Sequence, residues 1–340
     1  MTRLQISRLV SITSGLVTVA LFVPTAVHAS PLDSVSGTTE AKWVEDTVIS
    51  ASTSEEPLAQ SATRSSSSVS LDNDGISTLV TSDPEEYASI DIDDEVSVGL
   101  LLADTSVVEE GAVAPDGTTV FRIKGLDDAY AFQILESGSI SASALTTSSQ
   151  SSQTFAYRLS SGITPVVQKT GAVALYEGED LVGIVEHPEA RDAAGRDVSS
   201  AYSVVDGDLV QRTRPSVNTA YPVVTTARIG VFQTKGDDVH VTRGQASGHG
   251  WWLKGTTNAA KAKVTVQLQY KPKKNSSWQN RGRAGVRAIK SGGSKRANAR
   301  MTCRSRGNKQ WRSWVDVDLI GYLDTPNKLY TRAKTIKCTL

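Results

Sequence analysis

Along Lys261–Lys271, KAKVTVQLQYK, apolar and polar residues alternate without a break. Val264, Val266, Leu268 and Tyr270 fall on one side; Lys263, Thr265, Gln267, Gln269 and Lys271 fall on the other. A period of two marks a half-buried antiparallel strand. ANARMTCRS repeats the pattern, with Ala297, Ala299, Met301 and Cys303 inward and Asn298, Arg300, Thr302 and Arg304 outward. SWVDVDLIG turns Val315, Val317 and Leu319 inward, and KTIKCTL turns Ile336, Cys338 and Leu340 inward. Cys303 and Cys338 thus take core-facing positions on different strands. That placement predicts a bridge within or across a β-sandwich core, beside one or more tryptophans.

Upstream, from about Ala88, short β-branched and aromatic runs such as EVSVGLLLA, TTVFRIKGL, YAFQILE and TFAYRLSSG are separated by turn clusters. These clusters are Glu177-Gly178-Glu179-Asp180, Asp192-Ala193-Ala194-Gly195 and Asp206-Gly207. Asp206-Gly207 between YSVV and LVQR is a hairpin signal, because a type I′ turn needs positive φ at both central residues. No stretch reads as a long helix. The predicted fold is all-β: two β-sandwich-like domains, residues 88–227 and 228–340. Residues 30–87, with segments such as SATRSSSSVSLDNDG, hold few large apolar side chains. They read as a disordered, acidic, Ser/Thr-rich leader that serves as a spacer or a removable pro-segment. Residues 1–29 read as an export signal. Arg3 and Arg8 precede the apolar run LVSITSGLVTVALFV, and Val27-His28-Ala29 suits signal peptidase. Ser11, Thr13, Ser14 and Gly15 in that run, and Pro24 just after it, argue against a stable membrane span, so the expected location is outside the cell, released or on its surface.

Charge changes the picture. The total of 36 basic and 36 acidic residues is balanced. From Val231 to Leu340, however, there are 23 Lys+Arg against 5 Asp+Glu, which is 23 − 5 = +18. Met1–Gly230 carries the complement, 13 − 31 = −18. The two cysteines read as one disulfide. Closing a loop of this length stabilises by about 3–4 kcal/mol in the chain-entropy model. A metal site, the rival reading of the cysteines, fails on ligand count, since His187, His240 and His249 show no tight spacing with each other or with either cysteine.

The segment LVGIVEHPEARDAAGRDVSSAYSVVDGDLVQRTRPSVNTAYPVV resembles one in many secreted actinobacterial proteins, in which a strand, a Pro-Ala-Asp-Gly turn and a hairpin end in Tyr-Pro-Val-Val. Pro188, Ala190, Asp192, Gly195, Tyr202, Asp206, Leu209, Val210, Gln211 and Tyr221–Val224 match that pattern. The chain departs from it at Thr225-Thr226-Ala227, where Ala-Asp-Pro is usual. The tail SGHGWW…VTVQLQ…ARMTC…WRSWVDVDLIG is similar to a Trp-rich, two-Cys C-terminal domain of secreted actinobacterial proteins. The resemblance implies export and a β fold. It implies no catalytic residues; no cofactor is expected.

Three places carry possible chemistry. Ser247 and His249, with Asp237 or Asp238, have the residue types of a hydrolytic triad, but not the strained elbow that exposes a hydrolase serine. The expectation is a Gly-rich turn feeding a strand. Asp316 and Asp318 share one strand face and are expected to pair with Arg300 or Arg304 across the sheet rather than hold a cation. The basic stretch is the stronger candidate. Lys271, Lys273, Lys274, Trp278, Arg281, Arg283, Arg287, Lys290, Lys295 and Arg296 combine cations with a flat ring, as binding to an anionic polymer requires, and Trp311 and Trp314 interleave with further cations. The functional expectation is a non-enzymatic exported protein whose basic domain binds envelope or other polyanions. The alternatives are a secreted nuclease- or hydrolase-type toxin, or an adhesion module whose acidic and basic domains dock on each other. His187 and the Glu177–Asp180 turn read as structural. Asn275-Ser276-Ser277 matches a glycosylation triplet by chance.

Overall fold

In a computed structural model, the described residues are 37–51, 56–73, 75–92 and 96–340. The expected export signal, and with it the start of the leader, lies outside them. The described chain forms one contact-dense unit of two β lobes.

The first lobe is a sandwich. Eight strands of one sheet run from Thr63–Arg64 through Ser68–Asn73, Ile76–Thr81, Ala88–Ile92, Val96–Leu102, Thr154–Leu159 and Asp208–Arg214 to Ser199–Val205. The facing nine-stranded sheet is centred on Val223–Val231, which pairs with Asp180–Val185, Glu189–Asp192 and Ile140–Thr146. Between them Ile90, Leu100, Tyr157, Leu175, Leu209 and Ile229 are fully buried. The Asp206-Gly207 turn has the predicted geometry, with φ of 53° and 92°.

The leader expectation is corrected over residues 56–87. Val69, Leu71 and Val80 alternate with polar residues, enter the sandwich core, and make Ser68–Asn73 and Ile76–Thr81 integral strands. Low apolar content conceals these strands in the sequence, because every second residue of a strand with one solvated face is free to be Ser or Asp. Gly37–Ala51 is an α-helix, also not anticipated. Its Val44 and Val48 pack on Ala129, Ala131, Leu145 and Val224, covering part of the outer face of the nine-stranded sheet. Among the described residues, no helix is long and apolar enough to cross a membrane.

The second lobe begins later than the predicted residue 228, because the Val223–Val231 strand stays in the first lobe to its end. One sheet holds Gln233–Gly236, His240–Thr242, Gln245–Leu253 and Ala297–Thr302; the other holds Gln279–Ile289, Ala262–Lys271, Ser305–Leu319, Leu329–Tyr330 and Lys334–Thr339. Val264, Val266, Leu268, Tyr270, Val315, Val317 and Leu319 line the core as the alternation requires. The Cys303–Cys338 disulfide joins the two sheets, with Cα atoms 5.0 Å apart, beside the fully buried Trp311.

The same core continues into the first lobe. Ala174 and Ile184 turn away from the first sandwich and pack in the second lobe's apolar cluster, along with Tyr176 and Leu181. Polar contacts finish the junction. Glu186 accepts from the Asn258 backbone N–H at 3.0 Å, Thr256 Oγ1 accepts from Val231 N–H at 2.9 Å, and His187 stacks on Tyr322 at 5.2 Å. Among the described residues, no ion pair joins the two lobes.

Candidate polyanion interface

The predicted basic residues gather along one strand and the loops at its ends. The hairpin between Ala262–Lys271 and Gln279–Ile289 carries exposed Lys273 and Lys274 and half-buried Lys271 and Trp278. Arg281, Arg283 and Arg287 lie along Gln279–Ile289, which ends the sheet. The loop into Ala297–Thr302 carries exposed Lys290 and Lys295 and half-buried Arg296. An 11-residue strand separates the two loops by roughly 30 Å. Two glycines allow the path: at Gly285 a Cβ would collide with the carbonyl oxygen of Asn298, and Gly282 has φ of 70°. The strand can therefore press against Ala297–Thr302 of the opposite sheet and close that side of the sandwich.

Among the described residues, only Arg296 of these nine cations forms an ion pair, to Asp237 at 3.3 Å. Aromatic rings hold Lys271, Arg296 and two neighbouring cations, Arg312 and Lys328, in place. Lys271 Nζ lies 4.9 Å from the centre of the Trp278 ring, and the Arg312 guanidinium lies 4.6 Å from it. On its other side Arg312 faces Tyr330 at 4.3 Å, and its Nε donates to Gln269 Oε1 at 2.8 Å. Burial between these groups lowers the Arg312 pKa from its ordinary value, but an arginine remains charged. Arg296 covers Trp251 at 4.0 Å, and Lys328 covers Trp314 at 5.1 Å. Each ring orders a cation without neutralising it.

Arg312, Lys328 and Tyr330 were not among the predicted residues. Register was the available signal for the arginine: Arg312 sits opposite Gln269, on the outward face already recognised in Ala262–Lys271. Trp311 belongs to the core and contributes nothing to this surface. Asp318 pairs with Lys263 at 2.8 Å instead of Arg300 or Arg304, because Lys263 is its direct cross-strand neighbour. Among the described residues Asp316 forms no ion pair; burial, then the neighbouring Asp318, push its pKa up to about 6.

The triad residues come together but are connected differently from a relay. Asp237 Oδ2 accepts from His249 Nδ1 at 2.8 Å, yet Ser247 Oγ contacts His240 Nε2 at 3.2 Å and not His249. The hydroxyl and the carboxylate serve different imidazoles, so no Ser–His–Asp chain forms.

No family model matches this sequence, and no curated protein matches it.

Proposed function

We propose that this chain is an exported, non-enzymatic β protein whose second lobe binds linear anionic polymers of the cell envelope or its surroundings. One observation carries the reading: eight of the nine predicted cations, spread over roughly 30 Å of strand and loop, have no carboxylate partner among the described residues. Among the described residues no ion pair joins the lobes, which meet through apolar packing and a few polar contacts, and this supports leaving those cations free for a partner. Such a row suits a polymer with regularly spaced negative groups better than a small anion. The rings of Trp278 and Tyr330 add flat surface for sugars or bases. The two-arginine, apolar N-terminal segment supports export, and one disulfide fits that reading.

The test uses the full chain, because removing the second lobe would uncover Ala174 and Ile184. Retention is measured on immobilised polyphosphate, purified wall polymer and DNA as salt is raised. The parent should be released steeply, with the slope of log affinity against log salt falling by about one for each contacting cation removed. Lys273→Ala/Lys274→Ala and Lys290→Ala/Lys295→Ala should each lower affinity and slope on the polymer that is recognised. Binding that persists in molar salt, or is unchanged when all four lysines are removed, would refute the reading.

A further inference from the structure

The second lobe contains two histidines, and the fold brings them together. His240 is the direct cross-strand partner of Ser247, and His249 is two residues further along the same strand, so it lies on the same face. Their ring centres are 5.3 Å apart. Asp237 completes the group: one ligand atom from each of Asp237, His240 and His249 lies within 4.8 Å of those of the other two. Spacing along the sequence had argued against a metal, since nine residues separate the histidines. A tight hairpin removes that objection, because positions far apart in the chain become diagonal neighbours across a ladder.

The hydrogen bonds around the rings point to a ligand role. His249 Nδ1 donates to Asp237 Oδ2 at 2.8 Å, while Asp237 Oδ1 accepts from the His249 backbone N–H at 2.8 Å. His240 Nδ1 is 3.3 Å from the carbonyl oxygen of Asp238, a group that can only accept. At His240 this leaves the lone pair on Nε2; at His249 the Nδ1–Asp237 Oδ2 pair is the one an ion would bridge in place of the shared proton. A metal-bound histidine has the environment of His240: its second nitrogen is anchored to a carbonyl, which fixes tautomer and orientation. The His240 lone pair is occupied by the Ser247 hydroxyl, whose proton can rotate away. His249 and Asp237 are half-buried and His240 is exposed, so the group is supported from below and open to solvent.

We infer that Asp237, His240 and His249 form a binding site for a divalent transition ion, with zinc the best match. Imidazole with one carboxylate is a borderline donor set that suits Zn²⁺, and three protein ligands leave a fourth position for water or an anion. Zinc ligands stand about 3.4 Å apart in a tetrahedron of the usual bond lengths, so modest side-chain rotation closes the site. Arg296, 3.3 Å from Asp237 Oδ2, competes with the ion for that carboxylate. This inference is independent of polymer binding.

The experiment titrates Zn²⁺ into tag-free, chelator-stripped full chain by calorimetry, then repeats it with Co²⁺ followed by visible absorption. The expected result is one ion per chain. His240→Ala and His249→Ala should each lower affinity at least tenfold, whereas His187→Ala should not change it. Arg296→Ala should tighten binding several-fold; unchanged affinity would remove Asp237 from the ligand set and overturn the three-ligand site. In case a histidine variant fails to fold, Co²⁺-induced shifts of the imidazole proton signals are read on the parent chain. Shifts confined to His240 and His249 support the site. Shifts elsewhere, or stoichiometric binding that survives in a folded double variant, overturn it.

Discussion

Trp311 donates its indole N–H to the carbonyl oxygen of Cys338 at 3.0 Å. The half-cystine that ties the final strand to the opposite sheet is thereby also fixed to one of the two fully buried tryptophans of the second core. Cys303→Ser/Cys338→Ser opens a covalent loop of 35 residues in sequence separation. A loss of about 3–4 kcal/mol is expected, measured by denaturant unfolding of parent and variant. Reductant should bring the parent to the variant's midpoint and leave the variant unmoved. A parent whose midpoint ignores reductant would contradict the assignment of stability to this bridge.

At the lobe junction, Arg228 and Glu186 are both buried and lie 3.6 Å apart. Burial raises the Glu186 pKa, against the opposing pull of Arg228 and the Asn258 N–H. Glu186→Ala would strand a buried guanidinium and leave Asn258 N–H unpaired. The expected cost is about 3–5 kcal/mol. The double variant Glu186→Leu/Arg228→Met, which removes both charges, should recover much of it. Equal destabilisation of the single and double variants would show that packing, not charge, dominates the junction.

Strand pattern was legible in the sequence wherever one face meets the core. Val264 to Tyr270 and Val315 to Leu319 declared their sides through strict alternation, and the Cys303–Cys338 pairing followed from the same rule. Residues 68–81 were not legible, because Val69, Leu71 and Val80 are sparse among Ser and Asp and resemble unstructured sequence until a partner strand is beside them. The helix Gly37–Ala51 was hidden for a related reason: it buries mainly Val44 and Val48 on a surface of alanines. The cation row was readable as a charge run. Its aromatic anchors at Arg312 and Tyr330, and the meeting of His240 with His249, depended on register between strands, which no single segment encodes.

Asp316 should make stability depend on pH. Its folded pKa of about 6 lies above the 3.8 of an unperturbed aspartate, so the folded state holds its proton more tightly than the unfolded chain does. Ionising this carboxylate therefore destabilises the fold. The penalty is absent below about pH 4, grows between about pH 4 and pH 6, and is complete above that. Asp316→Asn should accordingly unfold at a higher temperature than the parent at about pH 7.5 and at the same temperature near pH 4. A difference independent of pH would locate the effect in packing and contradict the raised pKa.

Charge and ring contributions to polymer binding can be separated at Trp278, which contacts both Lys271 and Arg312 through its face. Trp278→Ala removes flat surface but no charge. On polyphosphate, which has no rings, the variant should keep the parent's affinity to within a few-fold. On a polymer bearing sugars or bases, loss of stacking should weaken binding by about 1–3 kcal/mol. The salt slope should be unchanged on both, because the number of contacting cations is the same. Lys273→Ala/Lys274→Ala should do the reverse, lowering the slope on every anionic polymer that the parent binds. A Trp278→Ala variant that lowers the slope on polyphosphate would mean that the indole acts mainly by holding Lys271 and Arg312 in position, and the row of cations would then depend on its rings for order rather than for contact.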